Sequence, residues 1–343
     1  QATMPSIQLI DTRKLPLDNG LSPAALSLLQ THLQKNQQAM IYLNRRGFAP
    51  MSICHHCGWC LDCEHCDSKL VVHKSRNLLQ CHHCFAKKNL QQVCPKCAHS
   101  EWVFSGLGTQ RLESFLQEKF PETPISRVDR DAFSKPADMH KLWESLNNKA
   151  PHILVGTQML AKGHDFPHLS LVIMLEVDQL LFNPDYRCSE RLAQTIVQVS
   201  GRAGRSQCKG QVLIQTHQPQ NPIFHDLIHS NYTIWAEKSL KDRKAHALPP
   251  YSFFTVLRVE AKTQNQALSF LTAIKKQLHQ QTIHIHGPIP AIVARKTNLF
   301  RAQLLFQSNT RHSLQAYIAN LRKKLDSYPP ASSLHWHLDV DPL

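Results

Sequence analysis

The 343-residue sequence predicts a mixed α/β protein: a parallel sheet covered by helices on both faces, interrupted by a cysteine-rich insertion and followed by a smaller α+β domain. Three observations carry this. Strand-like and helix-like stretches alternate between residues 105 and 216, and Leu171-Val172-Ile173-Met174-Leu175 is apolar without a break, as a strand buried on both faces must be. Nine cysteines fall between residues 54 and 97, eight of them in four C-x2-C pairs. From about Arg243 onward the pattern reads βαββαβ, a ferredoxin-like order.

Taken in order, residues 1–20 read as irregular linker, because Pro5, Pro16 and an Asn19-Gly20 turn signal punctuate them. Ser22-Pro23 is a helix cap with proline at the first helical position, and Ala25, Leu26, Leu29 and Leu33 continue at helical spacing to about Lys35. Residues 39–43 form an apolar strand that opens into Asn44-Arg45-Arg46-Gly47, where two arginines can contact phosphate or simply be solvated. Past the cysteines, Ser105-Gly106-Leu107-Gly108-Thr109 caps a helix over 110–120. Further elements follow at 125–128, 139–146, 152–155, 169–175, 190–200 and 211–216. The last domain reads strand 252–260, helix 264–280, extended pieces near Ile283 and Ile292, strand 302–307, helix 311–325 and strand 334–339. The expected domains are a linker at 1–20, an α/β lobe at 21–53 with 105–242, a metal-binding insertion at 54–104 and a C-terminal domain at 243–343.

The pairs Cys54/Cys57, Cys63/Cys66, Cys81/Cys84 and Cys94/Cys97 supply thiolates for two four-sulfur sites, since a C-x2-C step lets two sulfurs converge on one tetrahedral ion. Two structural Zn²⁺ ions are expected, with no coordination position left for a reacting water. Disulfides are the alternative, but they suit small secreted domains, and we read neither a secretory signal nor an apolar span of membrane length. Cys60 matches no spacing and reads as a spare thiol; His55, His56, His82 and His83 sit inside complete pairs and are not counted as ligands. Spacing leaves open which pairs share an ion.

A formal charge of +14 and a pI near 9.4 favour a polyanionic partner, nucleic acid before membrane surface. The excess is concentrated at the end of the chain, where residues 243–343 hold 13 Lys and Arg against 4 Asp and Glu. Most of the 22 histidines are scattered and read as surface or core residues.

The loops at strand ends carry a second set of signals, because parallel sheets place their chemistry at the strand C-termini. Gly156-Thr157-Gln158 follows a strand, Lys162-Gly163-His164-Asp165-Phe166 lies just beyond, and a helix runs into Gln198-Val199-Ser200-Gly201-Arg202-Ala203-Gly204-Arg205. Arg202 and Arg205, three residues apart, are expected on one helical face, with glycines that allow a phosphate to approach. No G-x4-G-K-[ST] stretch occurs, and Glu176 and Asp178 follow a strand without the pattern of an acidic nucleotide motif.

Together these residues resemble the superfamily 2 helicases, and within them the PriA family of replication-restart helicases, over nearly the whole chain. Residues 41–48 look like the strand and loop entering the second motor lobe; 156–166 look like motif V; Asp185-Tyr186-Arg187, Glu190-Arg191 and the QVSGRAGR run look like motif VI. Leu248-Pro249-Pro250-Tyr251-Ser252 and Asp339-Val340-Asp341-Pro342 are similar to the family's C-terminal domain. The resemblance implies a RecA-like second lobe with an inserted two-zinc module and a ferredoxin-like, ribosomal S10-like last domain. It implies one zinc on Cys54, Cys57, Cys94 and Cys97 and another on Cys63, Cys66, Cys81 and Cys84. Arg205 is then the arginine finger with Arg202 beside it, and Gly156, Thr157, Gln158, Gly163, Asp165, Gln198 and Gly201 belong to the ATP and Mg²⁺ site. The implied activity is 3′ to 5′ unwinding of forked DNA in the bacterial cytoplasm. Implied partners are single-stranded DNA, single-strand DNA-binding protein and the primosome and replicative-helicase loading proteins, with no membrane. Without a P-loop, this stretch is expected to be inactive alone. A non-catalytic zinc scaffold and a different superfamily 2 translocase are the competing readings.

Overall fold

The computed structural model describes residues 5–44, 52–61, 70–73, 78–81, 86–89, 93–104, 108–128, 142, 144–161, 166–182, 185–204, 210–278, 283–296, 299–327 and 334–342. It divides into two compact units, Gln1–Leu61 with Leu90–Ala236, and Asp62–Asn89 with Glu237–Leu343.

The first stretch runs β1 (Ser6–Asp11), α1 (Pro23–Gln34) and β2 (Gln38–Leu43). Short strands follow: β3 (Ser52–Cys54), β4 (Leu70–His73), β5 (Leu78–Cys81), β6 (Lys87–Asn89) and β7 (Trp102–Phe104). The chain then alternates through α2 (Thr109–Lys119), β8 (Ile125–Val128), β9 (His152–Gly156), α3 (Gln158–Ala161) and β10 (Leu169–Leu175). It continues with α4 (Asp178–Leu181), α5 (Cys188–Ser200), β11 (Gln211–Thr216), α6 (Pro222–His225) and α7 (Tyr232–Ala245).

Six of these strands form a parallel sheet in the order β1-β11-β10-β2-β9-β8. Its central strands β2, β9 and β10 are buried at every position, as their unbroken apolar runs require. Alternate side chains feed two cores. Ile41, Ile153 and Ile173 pack with Leu29 of α1 and Leu112 and Leu116 of α2, while Met40, Leu154 and Val172 share the opposite core with Ile196 of α5 and Phe166. Each such side chain stabilises the fold by about 1.5–3 kcal/mol through removal from water. The Ser22 hydroxyl accepts the Ala25 N–H at 3.2 Å, so α1 starts where its cap and Pro23 dictate.

Residues 6–11, expected as linker, are instead the edge strand β1, paired from Ser6 with Gln211 to Asp11 with Thr216. Pro5 and Pro16 flank this strand rather than interrupt it, and Ile7 and Leu9 pack on one core while Ile10 packs on the other. The short cysteine-flanked strands form two small antiparallel sheets, β3-β7 and β4-β5-β6. The first lies in the unit of the parallel sheet and the second in the other unit.

The second unit also holds β12 (Phe253–Ala261), α8 (Gln264–Lys276), β13 (His284–Lys296), β14 (Leu299–Ser308), α9 (Arg311–Asp326) and β15 (Leu334–Val340). The sheet order β13-β14-β12-β15, antiparallel throughout, is the ferredoxin-like topology that the sequence pattern predicts. Thr263 and Gln266 cap α8 reciprocally, and Leu271, Ile274, Leu314 and Ile318 of the helices pack on Leu257, Leu304 and Phe306 of the sheet. The extended pieces near Ile283 and Ile292 belong to one stretch: Ile283 precedes the 13-residue β13, which includes Ile292 and whose pairing shifts around Ile289 and Pro290. Pro288 and Pro290 have no N–H to give the ladder, which accounts for the shift. Among the described residues, no helix is long and apolar enough to cross a membrane.

Two histidines near the N-terminal ends of the parallel strands are buried, His32 facing the Ser170 hydroxyl at 2.7 Å and His152 facing that of Ser126 at 2.9 Å. Burial pushes both below the ordinary value of 6.5. A base whose folded value is depressed is fully stabilising above its unfolded value, and that contribution is lost as pH falls through the folded one. The melting temperature of the lobe should therefore fall progressively as pH drops below about 6.5. Thermal melts from pH 7.5 to 5.5 check this, and a variant carrying His32→Gln and His152→Gln should show a shallower slope.

Candidate metal centre and arginine turn

The sequence between β3 and the end of the cysteine region builds two matching knuckles. In the first, the N–H of Gly58 donates to the Cys54 carbonyl at 2.9 Å; in the second, the N–H of Ala98 donates to the Cys94 carbonyl at 2.8 Å. Both donors sit at positive φ, 72° and 59°, which turns the chain back so that each C-x2-C pair aims its sulfurs one way. The β3-β7 pairing, with Cys54 opposite Trp102, brings the first knuckle to the segment that follows the second.

As a result, Cys54, Cys57, Cys94 and Cys97 converge, all four sulfurs within 4.8 Å of one another. The Sγ–Sγ distances are 3.5 Å for Cys54–Cys97 and 3.7 Å for Cys57–Cys94. A tetrahedral ion with Zn–S bonds of about 2.3 Å sets its sulfurs about 3.8 Å apart, so this donor set fits zinc in both chemistry and size. Burial pushes the Cys54 thiol up to about 12, while the His99 backbone N–H helps bring Cys97 down to about 6. Four thiolates share so small a space only when a cation sits between them. Cys60 is buried and paired through its backbone with Ile53, a core position outside the cluster. Cys81 lies in β5, and Cys63, Cys66 and Cys84 lie outside the described residues.

These outer knuckles are locked to the C-terminal edge of the parallel sheet. Asp178, just past β10, is buried and accepts hydrogen bonds from the Thr216 hydroxyl and, at 2.8 Å, from the His217 N–H beyond β11. The His217 ring has Nδ1 3.4 Å from Asp178 and 3.2 Å from the Thr12 hydroxyl beyond β1, and its Nε2 is 3.4 Å from Nδ1 of His55. The other nitrogen of His55 is 2.5 Å from the Leu15 carbonyl, and its carbonyl accepts the Lys14 N–H at 2.9 Å. Gly58 completes the fit: a β-carbon there would run into the His217 carbonyl oxygen. Sequence reading sets Asp178 aside and passes over Thr12 and His217. Each is a polar residue just past the end of a parallel strand, a signal that is lost for Thr12 because β1 reads as linker.

The arginine turn occupies the other edge. Helix α5 stops at Ser200, and Arg202, expected on a helical face, lies instead in the turn that follows. The Arg202 N–H bonds to Val199, Ala203 to Ser200, and Gly204, at φ 77°, donates to the Leu169 carbonyl at the start of β10. That last bond ends the helix and places the turn at the N-terminal edge of the sheet, against the expectation of a C-terminal loop. Gly156, Thr157 and Gln158 lie at the C-terminal edge, where a β-carbon on Gly156 would meet the Val128 carbonyl oxygen. Gln198 and Gly201 are exposed on the approach to the turn. Lys162, Gly163, His164, Asp165, Arg205, Arg45 and Arg46 fall outside the described residues. Upstream of α5, Asp185 binds Arg187 at 3.1 Å and Arg191 at 3.0 Å. Burial works to raise its carboxyl, but these hydrogen bonds and charges hold it below the usual carboxylate range.

Comparison with known proteins bears on all three regions. Residues 96–207 match the helicase conserved C-terminal domain, 63–88 the PriA DNA helicase Cys-rich region domain, and 244–343 the primosomal protein N C-terminal domain. The chain is 38% identical to the replication restart protein PriA of Haemophilus influenzae, over 97% of this chain and 46% of that protein. It is 31% identical to the Rickettsia conorii protein of the same name, over 99% of this chain and 52% of that one, and 32% identical to that of Bacillus subtilis, over 95% and 41%. The chain thus spans about half the length of the curated relatives it matches. Three separate stretches point the same way, and the chain belongs to the PriA family, corresponding to the C-terminal part of its members.

Proposed function

We propose that this chain forms the second motor lobe, metal-binding region and C-terminal domain of an ATP-dependent 3′ to 5′ DNA helicase that acts at stalled or branched forks and starts primosome assembly. The observation that supports the reading is the Gly201–Gly204 turn, tied to the sheet by the Gly204 to Leu169 bond and containing Arg202, which precedes Arg205 by three residues in the sequence. In the whole protein the two arginines would face the γ-phosphate of ATP held with Mg²⁺ by a P-loop lobe, Arg205 neutralising charge in the transition state. Gly156, Thr157, Gln158, Gly163, Asp165, Gln198 and Gly201 would join nucleotide binding to movement along single-stranded DNA, gripped through its phosphates. Two Zn²⁺ ions would be held, one by Cys54, Cys57, Cys94 and Cys97 and one by Cys63, Cys66, Cys81 and Cys84, in a structural role. The metal region and last domain would take forked DNA, single-strand DNA-binding protein and the loading proteins of the replicative helicase.

Much of the arginine content of the last domain is engaged within it. Arg301 pairs with Glu260 at 2.5 Å, Arg258 with Asp339 at 2.9 Å and Arg311 with Asp341 at 3.1 Å. Lys323 and Lys324, in the exposed last turn of α9, carry charge that complements the helix dipole and is open to a phosphate backbone.

Three measurements test this reading. Arg205→Ala in the full-length protein should lower DNA-stimulated ATP turnover about 10³-fold while nucleotide and DNA still bind. A variant with Lys323→Ala and Lys324→Ala should bind DNA more weakly and flatten the slope of log affinity against log salt by about 1 for each phosphate no longer neutralised, a titration that Arg301→Ala should not reproduce without loss of stability. His217→Ala, which strips the ring from the Asp178 network at a cost of about 1–3 kcal/mol, should speed loss of one of the two zinc ions to a chelator and leave the other unchanged.

A further inference from the structure

The charge excess of the last domain rests on particular residues. Residues 243–343 hold 13 Lys and Arg against 4 Asp and Glu. All four acids face an arginine: Glu260 faces Arg301, Asp339 faces Arg258, Asp341 faces Arg311 and Asp326 faces Arg322. The excess therefore falls on the other nine cations, and chain direction divides these between the two ends of the domain. At one end β12 and β13 finish while β14 and β15 begin. There the pairings of Arg295 with Phe300, Phe300 with Ala261 and Ala261 with Leu334 make a row across all four strands. Lys262 is one residue past that row, and Lys296 follows Arg295 as the last residue of β13. Helix α9 starts at Arg311, beyond the far end of β14, and runs back along the sheet with Leu321 and Leu325 in the core, so its last turn returns Lys323 and Lys324 to the first end. Lys262, Lys323 and Lys324 are exposed. Cations at the opposite end are largely engaged within the domain. Lys275 donates to the Gly287 carbonyl at 2.5 Å, Arg243 donates to the Pro249 carbonyl at 3.3 Å, and the Lys244 ammonium lies 6.0 Å from the centre of the Tyr251 ring.

We propose that Lys262, Arg295, Lys296, Lys323 and Lys324 form one basic crest that holds the phosphate backbone of nucleic acid, while the arginines of the sheet serve the fold. This rests on the reading of the chain as part of a DNA helicase and locates the contact made by its last domain. Neighbouring strands lie about 4.8 Å apart, so the ends of β13 and β12, with β14 between them, are roughly 10 Å from each other. Cations from three segments thus line a strip rather than a point, and a strip of positive charge suits a linear polyanion. Lysine carries a compact charge on a flexible stem, which meets phosphate without regard to the base attached to it. Glu260 and Asp326, the acids nearest the crest, are already answered by Arg301 and Arg322 and offset little of its field. In sequence the five residues fall in three distant places. Only the strand directions of the βαββαβ order gather them at one end.

The test uses the 343-residue chain and a fluorescein-labelled DNA fork of mixed sequence, with binding followed by anisotropy across a range of KCl. The variant carrying Lys262→Ala, Arg295→Ala and Lys296→Ala should bind about 10-fold more weakly at low salt and flatten the slope of log affinity against log salt by about 2–3. Lys262→Arg should match the parent, as should Lys276→Ala, which removes an exposed charge at the opposite end. An unchanged slope in the triple variant, or equal weakening by Lys276→Ala, would overturn the proposal and leave the helicase reading in place. If the triple variant melts below the parent, Lys262→Ala alone must still flatten the slope by about 1 at an unchanged melting temperature, and failure to do so would equally overturn it. A parent chain that shows no salt-dependent binding to the fork would refute the crest and count against the reading beneath it.

Discussion

The interaction on which much of this lobe depends is the close approach of Gly58 to the His217 carbonyl. It is possible only because residue 58 has no side chain and takes a positive φ. Around it, Asp178, Thr12, His217 and His55 tie the ends of β10, β1 and β11 to the first cysteine knuckle. Asp178 is a buried carboxylate, and an unpaired one would be costly; here two hydrogen bonds and an imidazole answer it. A cysteine region that looks like a detachable insertion in sequence is, for its outer half, part of the wall of the sheet.

The sheet also sorts the chemistry by edge. The knuckles and the Gly156–Gln158 corner lie at strand C-termini, while the Arg202 turn lies at the N-terminal edge. Six residues of strand at about 3.3 Å each set the two edges roughly 20 Å apart. An ion held by the knuckles therefore contributes no ligand to a phosphate at the arginine turn. Any influence of the metal on the turn must pass through the sheet, as a change in how firmly β10 and β11 are held. The central strands, buried at every position, are stiff enough to carry such a change.

What the sequence disclosed follows local chemistry. The unbroken apolar runs of β2, β9 and β10, the Ser22-Pro23 cap and the βαββαβ order of the last domain are each written within a few neighbouring residues, and the structure has them where expected. Long-range partners are not written that way. β1 reads as linker because flanking prolines outweigh a weak alternation, and only its pairing with β11, some 200 residues on, makes it a strand. Arg202 leaves the helical register because Gly204 finds the Leu169 carbonyl, and Arg301 of β14 is held in an ion pair by Glu260 on the neighbouring β12. Asp178 and His217 are 39 positions apart, each unremarkable alone.

The central claim, that the outer knuckles are built into the parallel sheet, is tested most directly by hydrogen exchange on the full chain with and without metal removal. The account predicts that stripping the metal exposes the backbone amides of Lys14, His217 and Gln218, beyond the ends of β1 and β11, together with those of residues 52–61 and 93–104. Loss of protection confined to residues 52–104, with Lys14, His217 and Gln218 as protected as before, would contradict it.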